Sequence, residues 1–223
     1  QGEGREALEA AAIASLELDV QLALVGDQTE IAAALTEVAH DAENLRVVHA
    51  PDRIERELPA DEAVAGASES PIGVGIGMLA EGDATTFITA GHPGAVVLTA
   101  TEELQPLSGV ENAALAAVYP TLIHRGKERD PFALILDVGA TIDCSGADLV
   151  RFAVMGAAYA REISSNENPR VALLSNGPVS EASPTRIQTA HEHLDSLDAR
   201  FDYIGCIRAD QINLGDADVV ITD

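Results

Sequence analysis

The stretch Phe132 to Cys144, FALILDVGATIDC, constrains this chain more than any other. Five apolar residues, Phe132 to Leu136, run without a break into Asp137, and Gly139 and Asp143 follow closely. A run so short and so uniformly apolar predicts a strand buried on both faces, as in a parallel sheet, since a helix would need ten or more residues. In open α/β sheets ligands bind just beyond the carboxyl ends of the strands. Asp137, Gly139, Thr141 and Asp143 are therefore candidate site residues. An equally open reading is that Asp137 caps a turn and Gly139 supplies a left-handed backbone angle.

Composition narrows the fold class. The 223 residues are 47% hydrophobic but only 3% aromatic, with no Trp. Ala, Val, Leu and Ile must therefore fill the core, which favours alternating helices and strands over an aromatic-rich β-sandwich. One α/β domain over 1–223 is expected, with a subdomain boundary near 52–60 as an option. The 37 Asp and Glu against 13 Lys and Arg give a formal charge of −24. Such a surface repels nucleic acid, which excludes a nucleic-acid partner. Cys144 and Cys206 show no metal-ligand spacing, so neither a metal nor a cofactor is expected. No apolar run approaches a membrane span, and the first residues lack the basic start and apolar core of a secretory signal. The expected setting is cytoplasmic, with at most peripheral membrane contact.

Read in order, the chain alternates. Helices are predicted over Gly4–Leu18, Thr29–His40, Gly146–Ser164 and Ser183–Leu197, and strands over Val20–Val25, Arg46–His49, Ala84–Ile88, Ala113–Tyr119, Arg170–Leu174, Phe201–Ile207 and Ala217–Thr222. Ala60–Met78 reads as two helices parted near Ser70-Pro71, where GVGIG (73–77) suits close helix packing better than a phosphate loop because no strand precedes it. The segments ending at Gly26, Gly91, Asp137 and Gly177 are expected as neighbouring strands of one mainly parallel sheet. The turn from Thr89 to Ala95 joins a predicted strand to a helix N-terminus, where free backbone N–H groups and the helix dipole favour an anion. Thr89, Gly91, His92 and Gly94 are the candidate binders. His92 reads as a general base or anion donor, or as a polar residue merely tolerated in a turn. The basic loop His124, Arg125, Lys127 and Arg129 reads as a solvated hairpin tip or as an attractor of an anionic ligand.

Several blocks together resemble one known family. LALVGD (22–27), VVHAP (47–51), TAGHPGA (89–95), YPT (119–121), LILDVGATIDC (134–144), FAVMGAAYA (152–160), NPRVALLSNG (168–177) and ADVVITD (217–223) are similar, in order and spacing, to the phosphate acyltransferases of phospholipid synthesis, the PlsX type. The resemblance implies a three-layer α/β/α sandwich with a mainly parallel sheet, similar to phosphotransacetylases and isocitrate dehydrogenases, and a homodimer. It further implies transfer of a fatty acyl group from acyl carrier protein to inorganic phosphate, so those two are the expected partners. On that reading Thr89, Gly91, His92 and Gly94 hold phosphate. His92, Asp137 and Asp143 are the catalytic candidates, and Gly139, Thr141, Asn176 and Gly177 contact substrate.

The sequence also departs from that family. Its opening strand and its C-terminal third have no counterpart, and where it carries a Lys-Lys-Asp-Ser-Ser run this chain has Gly66-Ala67-Ser68-Glu69-Ser70. His92 and Pro93 replace the Asn and Thr of its glycine turn. These changes motivate an alternative from another class, a diverged non-catalytic member serving assembly or acyl-carrier binding. A dinucleotide dehydrogenase is the weaker third reading, because no GxGxxG follows the first strand.

Overall fold

The computed structural model describes residues 4–55, 57–59, 62–63, 67–110, 112–125, 130–141 and 144–222. The chain divides into two compact units, Gln1–Gln105 and Pro106–Asp223.

The first unit contains α1 (Arg5–Glu17), β1 (Leu22–Gly26), α2 (Gln28–Leu35), β2 (Leu45–His49), α3 (Pro71–Glu81) and α4 (Pro93–Glu103). β1 and β2 pair in parallel, from Leu22 opposite Leu45 to Gly26 opposite His49. Leu8 of α1 and Ile31 and Leu35 of α2 are buried with Leu24 and Leu45 of these strands, which is the apolar stripe of two amphipathic helices closing on a sheet. Asp27 caps α2 by accepting from the N–H groups of Thr29 and Glu30. α3 starts where Ser70-Pro71 predicts a break, with the Ser70 hydroxyl accepting from Gly73 N–H and proline in the first turn. The GVGIG stretch lies inside this helix, where Gly73 abuts the Ala67 backbone and Gly75 the Phe87 ring, as close packing requires.

The second unit contains β3 (Ala117–Arg125), β4 (Asp130–Leu136), α5 (Gly146–Ile163), β5 (Arg170–Leu174), α6 (Thr185–Ser196), β6 (Asp202–Ile207), the short α7 (Ala209–Ile212) and β7 (Val219–Ile221). Its five strands lie in the order β3-β4-β7-β5-β6. β4, β7, β5 and β6 are parallel, and β3 is an antiparallel edge. Side chains alternate across each strand. Leu134, Leu136, Val171, Leu173, Val219 and Ile221 pack with Leu149, Phe152, Ala153 and Ala157 of α5 and Ile187, Ala190 and Leu194 of α6. The intervening Ala172 and Val220 pack with Ile207, Ile212 and Ala217, with Ile135 beside them. Both faces are covered, which is why these strands read as unbroken apolar runs. The architecture is α/β, with helices flanking a mostly parallel sheet.

Three expectations about strands are corrected. Ala84–Ile88 is not a strand: Phe87 finds Gly75, but Ile88 is 90% exposed, so β-branched propensity without a buried face or a ladder partner forms no strand. The four segments ending at Gly26, Gly91, Asp137 and Gly177 therefore do not share one sheet. β1 belongs to the two-stranded sheet, and β4 and β5 share the larger sheet with β7 between them. The strand placed at Ala113–Tyr119 starts later, at Ala117, and runs to Arg125, so His124 and Arg125 of the presumed basic loop belong to a hairpin arm. Lys127 and Arg129 lie outside the described residues.

Candidate functional site

Because β4, β7, β5 and β6 run in parallel, their carboxyl ends share one edge of the second unit's sheet. That edge carries Asp137 after β4, Ser175-Asn176-Gly177 after β5 and Thr222 after β7. Backbone bonds tie it together: Asp137 N–H donates to Thr222 O at 3.1 Å, and Ser175 N–H to Ile207 O at 2.9 Å. Asn176 is exposed and Gly177 half-buried. Asp137, Gly139, Thr141, Asn176 and Gly177 are thus brought to one edge, as the ligand-binding rule for open α/β sheets anticipates. Asp143 lies outside the described residues.

Asp137 is fully buried. Its Oδ1 accepts from Leu115 N–H at 2.8 Å and its Oδ2 from Thr141 N–H at 2.7 Å. The carboxylate therefore shapes the turn beyond β4 and holds a second segment against it, while Gly139 turns the chain at φ +92°. A second buried carboxylate, Asp148, stands eleven residues on in the first turn of α5. It closes a capping box: Ser145 N–H and Oγ–H donate to its Oδ2 at 3.0 and 2.6 Å, and Asp148 N–H donates back to Ser145 Oγ. Its Oδ1 accepts from Asn112 Nδ2 at 3.1 Å and from Arg151 at 2.9 Å. Burial alone would raise the Asp148 carboxyl, but the hydrogen bonds from Ser145, Asn112 and Arg151 outweigh it and hold the group below the usual carboxylate range.

In the first unit, Thr89, Gly91, His92 and Gly94 form one turn leading into α4. His92 is its N-cap. The ring nitrogen Nδ1 accepts from Ala95 N–H at 3.1 Å, so Nε2 carries the proton and donates to Leu58 O at 2.8 Å. Gly91 N–H donates to Thr89 Oγ1 at 3.0 Å, and Pro93 has no N–H to give. Gly94 N–H is left as the first-turn donor outside these caps. The turn is thus less rich in free donors than the sequence suggests, for a local reason: His92 and Pro93 together remove two of them.

The edge and the turn can be set beside known proteins. The family described as fatty acid synthesis protein matches residues 3–223. The chain belongs to this family. A phosphate acyltransferase of Geobacter sulfurreducens is 33% identical over 216 residues, covering 97% of this chain and 60% of that protein. One of Myxococcus xanthus is 34% identical over 203 residues, covering 91% of this chain and 55% of the relative. The chain thus spans about three fifths of the length of these curated relatives. A branched-chain phosphotransacylase from Enterococcus faecalis has a similar fold, with a TM-score of 0.57 at 15% identity over 99% of this chain and 76% of its own. For this member of the fatty acid synthesis family, no group of three or more His, Cys, Asp and Glu among the described residues is arranged to hold a metal ion. No described helix is long and apolar enough to cross a membrane.

Sequence reasoning did not single out Asn112, Leu115, Ser145 and Asp148. Ser145-x-x-Asp148 was readable as a capping signal before a helix. The backbone donor Leu115 had no signal, because any residue but proline supplies an N–H.

Proposed function

We propose that this protein moves a fatty acyl group from acyl carrier protein to inorganic phosphate in the cytoplasm, giving an acyl phosphate for phospholipid synthesis. The observation that carries the reading is the family match over residues 3–223, with relatives at about a third identity that bear the name phosphate acyltransferase. The chemistry asks little of the protein's own nucleophiles. A phosphate oxygen attacks the thioester carbonyl carbon, the new C–O bond forms as the C–S bond breaks, and the carrier leaves as its thiol. Catalysis is then placement of the anion and stabilisation of the developing oxyanion. In this reading the turn at Thr89, Gly91, His92 and Gly94 holds phosphate, and Gly139, Thr141, Asn176 and Gly177 contact the acyl donor. The test is phosphate-dependent release of free acyl carrier protein from its acyl thioester by the whole encoded protein, with calorimetry for phosphate alone. Turnover that needs no phosphate would overturn the reading.

A second reading, a non-catalytic subunit that binds the acyl carrier, is favoured by one observation. The glycine turn has lost donors to Pro93 and the His92 cap. Carrier binding without turnover or phosphate binding would select it.

A further inference from the structure

We infer that Asp137 and Asp148 are positioning residues that hold the segment 112–115 as part of the substrate-facing wall at the carboxyl edge of the second unit's sheet, an inference that rests on the acyltransferase reading. The segment is irregular backbone and has no ladder of its own. It is nevertheless pinned at both ends. At one end Asn112 Nδ2 donates to Asp148 Oδ1. At the other, Leu115 N–H donates to Asp137 Oδ1, and Leu115 O accepts from Val138 N–H at 3.1 Å.

Each carboxylate also grips the chain beyond β4. Asp137 takes Thr141 N–H on its other oxygen, and Asp148 takes Ser145 through both backbone and hydroxyl. Two buried carboxylates therefore tie the segment 112–115 to Thr141 and Ser145 at two points. Bonds from neutral donors to a carboxylate are stronger than those between neutral groups, and two such anchors suppress both sliding and hinging. Asp137 is fully buried and has a backbone amide on each oxygen, a geometry suited to shaping the wall and not to exchanging protons with substrate. It acts through Thr141 and Leu115.

The experiment uses the whole encoded protein and reads amide exchange by mass spectrometry beside steady-state kinetics. Asn112→Ala removes the weakest anchor and leaves Asp148 satisfied by Ser145 and Arg151, so the fold is kept. Exchange across 112–116 should rise about fivefold, as expected for loss of one hydrogen bond. KM for the acyl donor should rise, and kcat and the pH profile should stay nearly unchanged. Asp137→Asn puts an NH2 against one of the two amides. It should speed exchange in both 112–116 and 138–141 about tenfold, since a lost charge-assisted bond is the larger loss, and lower kcat/KM while keeping the acid limb of the pH profile. Loss of that limb in Asp137→Asn, or loss of turnover with exchange unchanged, would make Asp137 a proton-transfer group and overturn the inference. Unchanged exchange in Asn112→Ala would overturn it as well. A wild-type protein without turnover would sink the functional reading alone, because the exchange measurements still decide the anchoring.

Discussion

At the scale of single residues, His92 and Asp148 each close a helix N-terminus, His92 through Ala95 N–H and Asp148 through Ser145 N–H. His92 stood open between a chemical and a merely tolerated role, and its ring turns out to be a helix cap. Replacing it with Asn keeps a short acceptor for Ala95 N–H but gives up the reach to Leu58 O, so the turn is released from Leu58. Phosphate affinity measured by calorimetry is expected to hold or rise in His92→Asn. Gly91→Val, which crowds the approach to the turn, is expected to lower it without lowering Tm; full activity in Gly91→Val would move the phosphate site elsewhere. Asp148 makes a prediction about acid. Its carboxyl is held below the usual range by Ser145, Asn112 and Arg151 against the effect of burial. A depressed folded value means the stabilisation is complete above the unfolded value near ~3.9 and is lost as pH falls through the folded one. Asp148→Asn should therefore cost about 1–3 kcal/mol near neutrality. In urea titrations the gap to wild type should narrow only below about pH 4, and a gap that persists to lower pH would mean that packing, not charge, supplies it.

Among elements, legibility followed burial. β4, β5 and β7 were readable as unbroken apolar runs because both faces of each are covered. Ala84–Ile88 has similar propensity, but only Phe87 packs and no strand pairs with it, so propensity alone misplaced it. β3 is legible only in part, since an edge strand with exposed side chains on both faces carries no period. α5 is buried along one broad face, and its Gly156 shows why a small residue sits there. A Cβ at Gly156 would sit 2.5 Å from Val219 Cγ1 and 2.9 Å from Leu136 Cδ1, so the helix rests on the adjacent strands β4 and β7 through a bare backbone. Gly156→Ala is expected to destabilise by about 1–3 kcal/mol, the usual cost of overpacking a filled core, despite the better helix propensity of alanine. A urea midpoint at or above that of wild type would show that the helix can lift without loss.

For the whole molecule, the homodimer that the family resemblance implies must reconcile apolar surface with a formal charge of −24. Val118, Phe132, Tyr159 and Ile163 are each between 42% and 58% exposed and line one cavity of about 290 Å³ beside the end of α5. The carboxylates at this cavity are already engaged, Asp130 by the Ser164 hydroxyl and Asp218 by Arg170 and Asn166. The face is thus apolar with satisfied polar groups, which a second copy can cover without stranding a charge. Two chains of this net charge repel one another over distances that salt screens, the screening length shrinking from about 10 Å at 0.1 M to about 3 Å at 1 M. Dimerisation is therefore expected to tighten as salt rises, opposite in sign to an association held by complementary charges. Light scattering at micromolar concentration should show the dimer fraction growing with salt, and Ile163→Glu should return the monomer mass at low salt. A monomer mass in both low and high salt would exclude this face as a dimer surface, and a dimer that Ile163→Glu leaves intact would place the contact elsewhere.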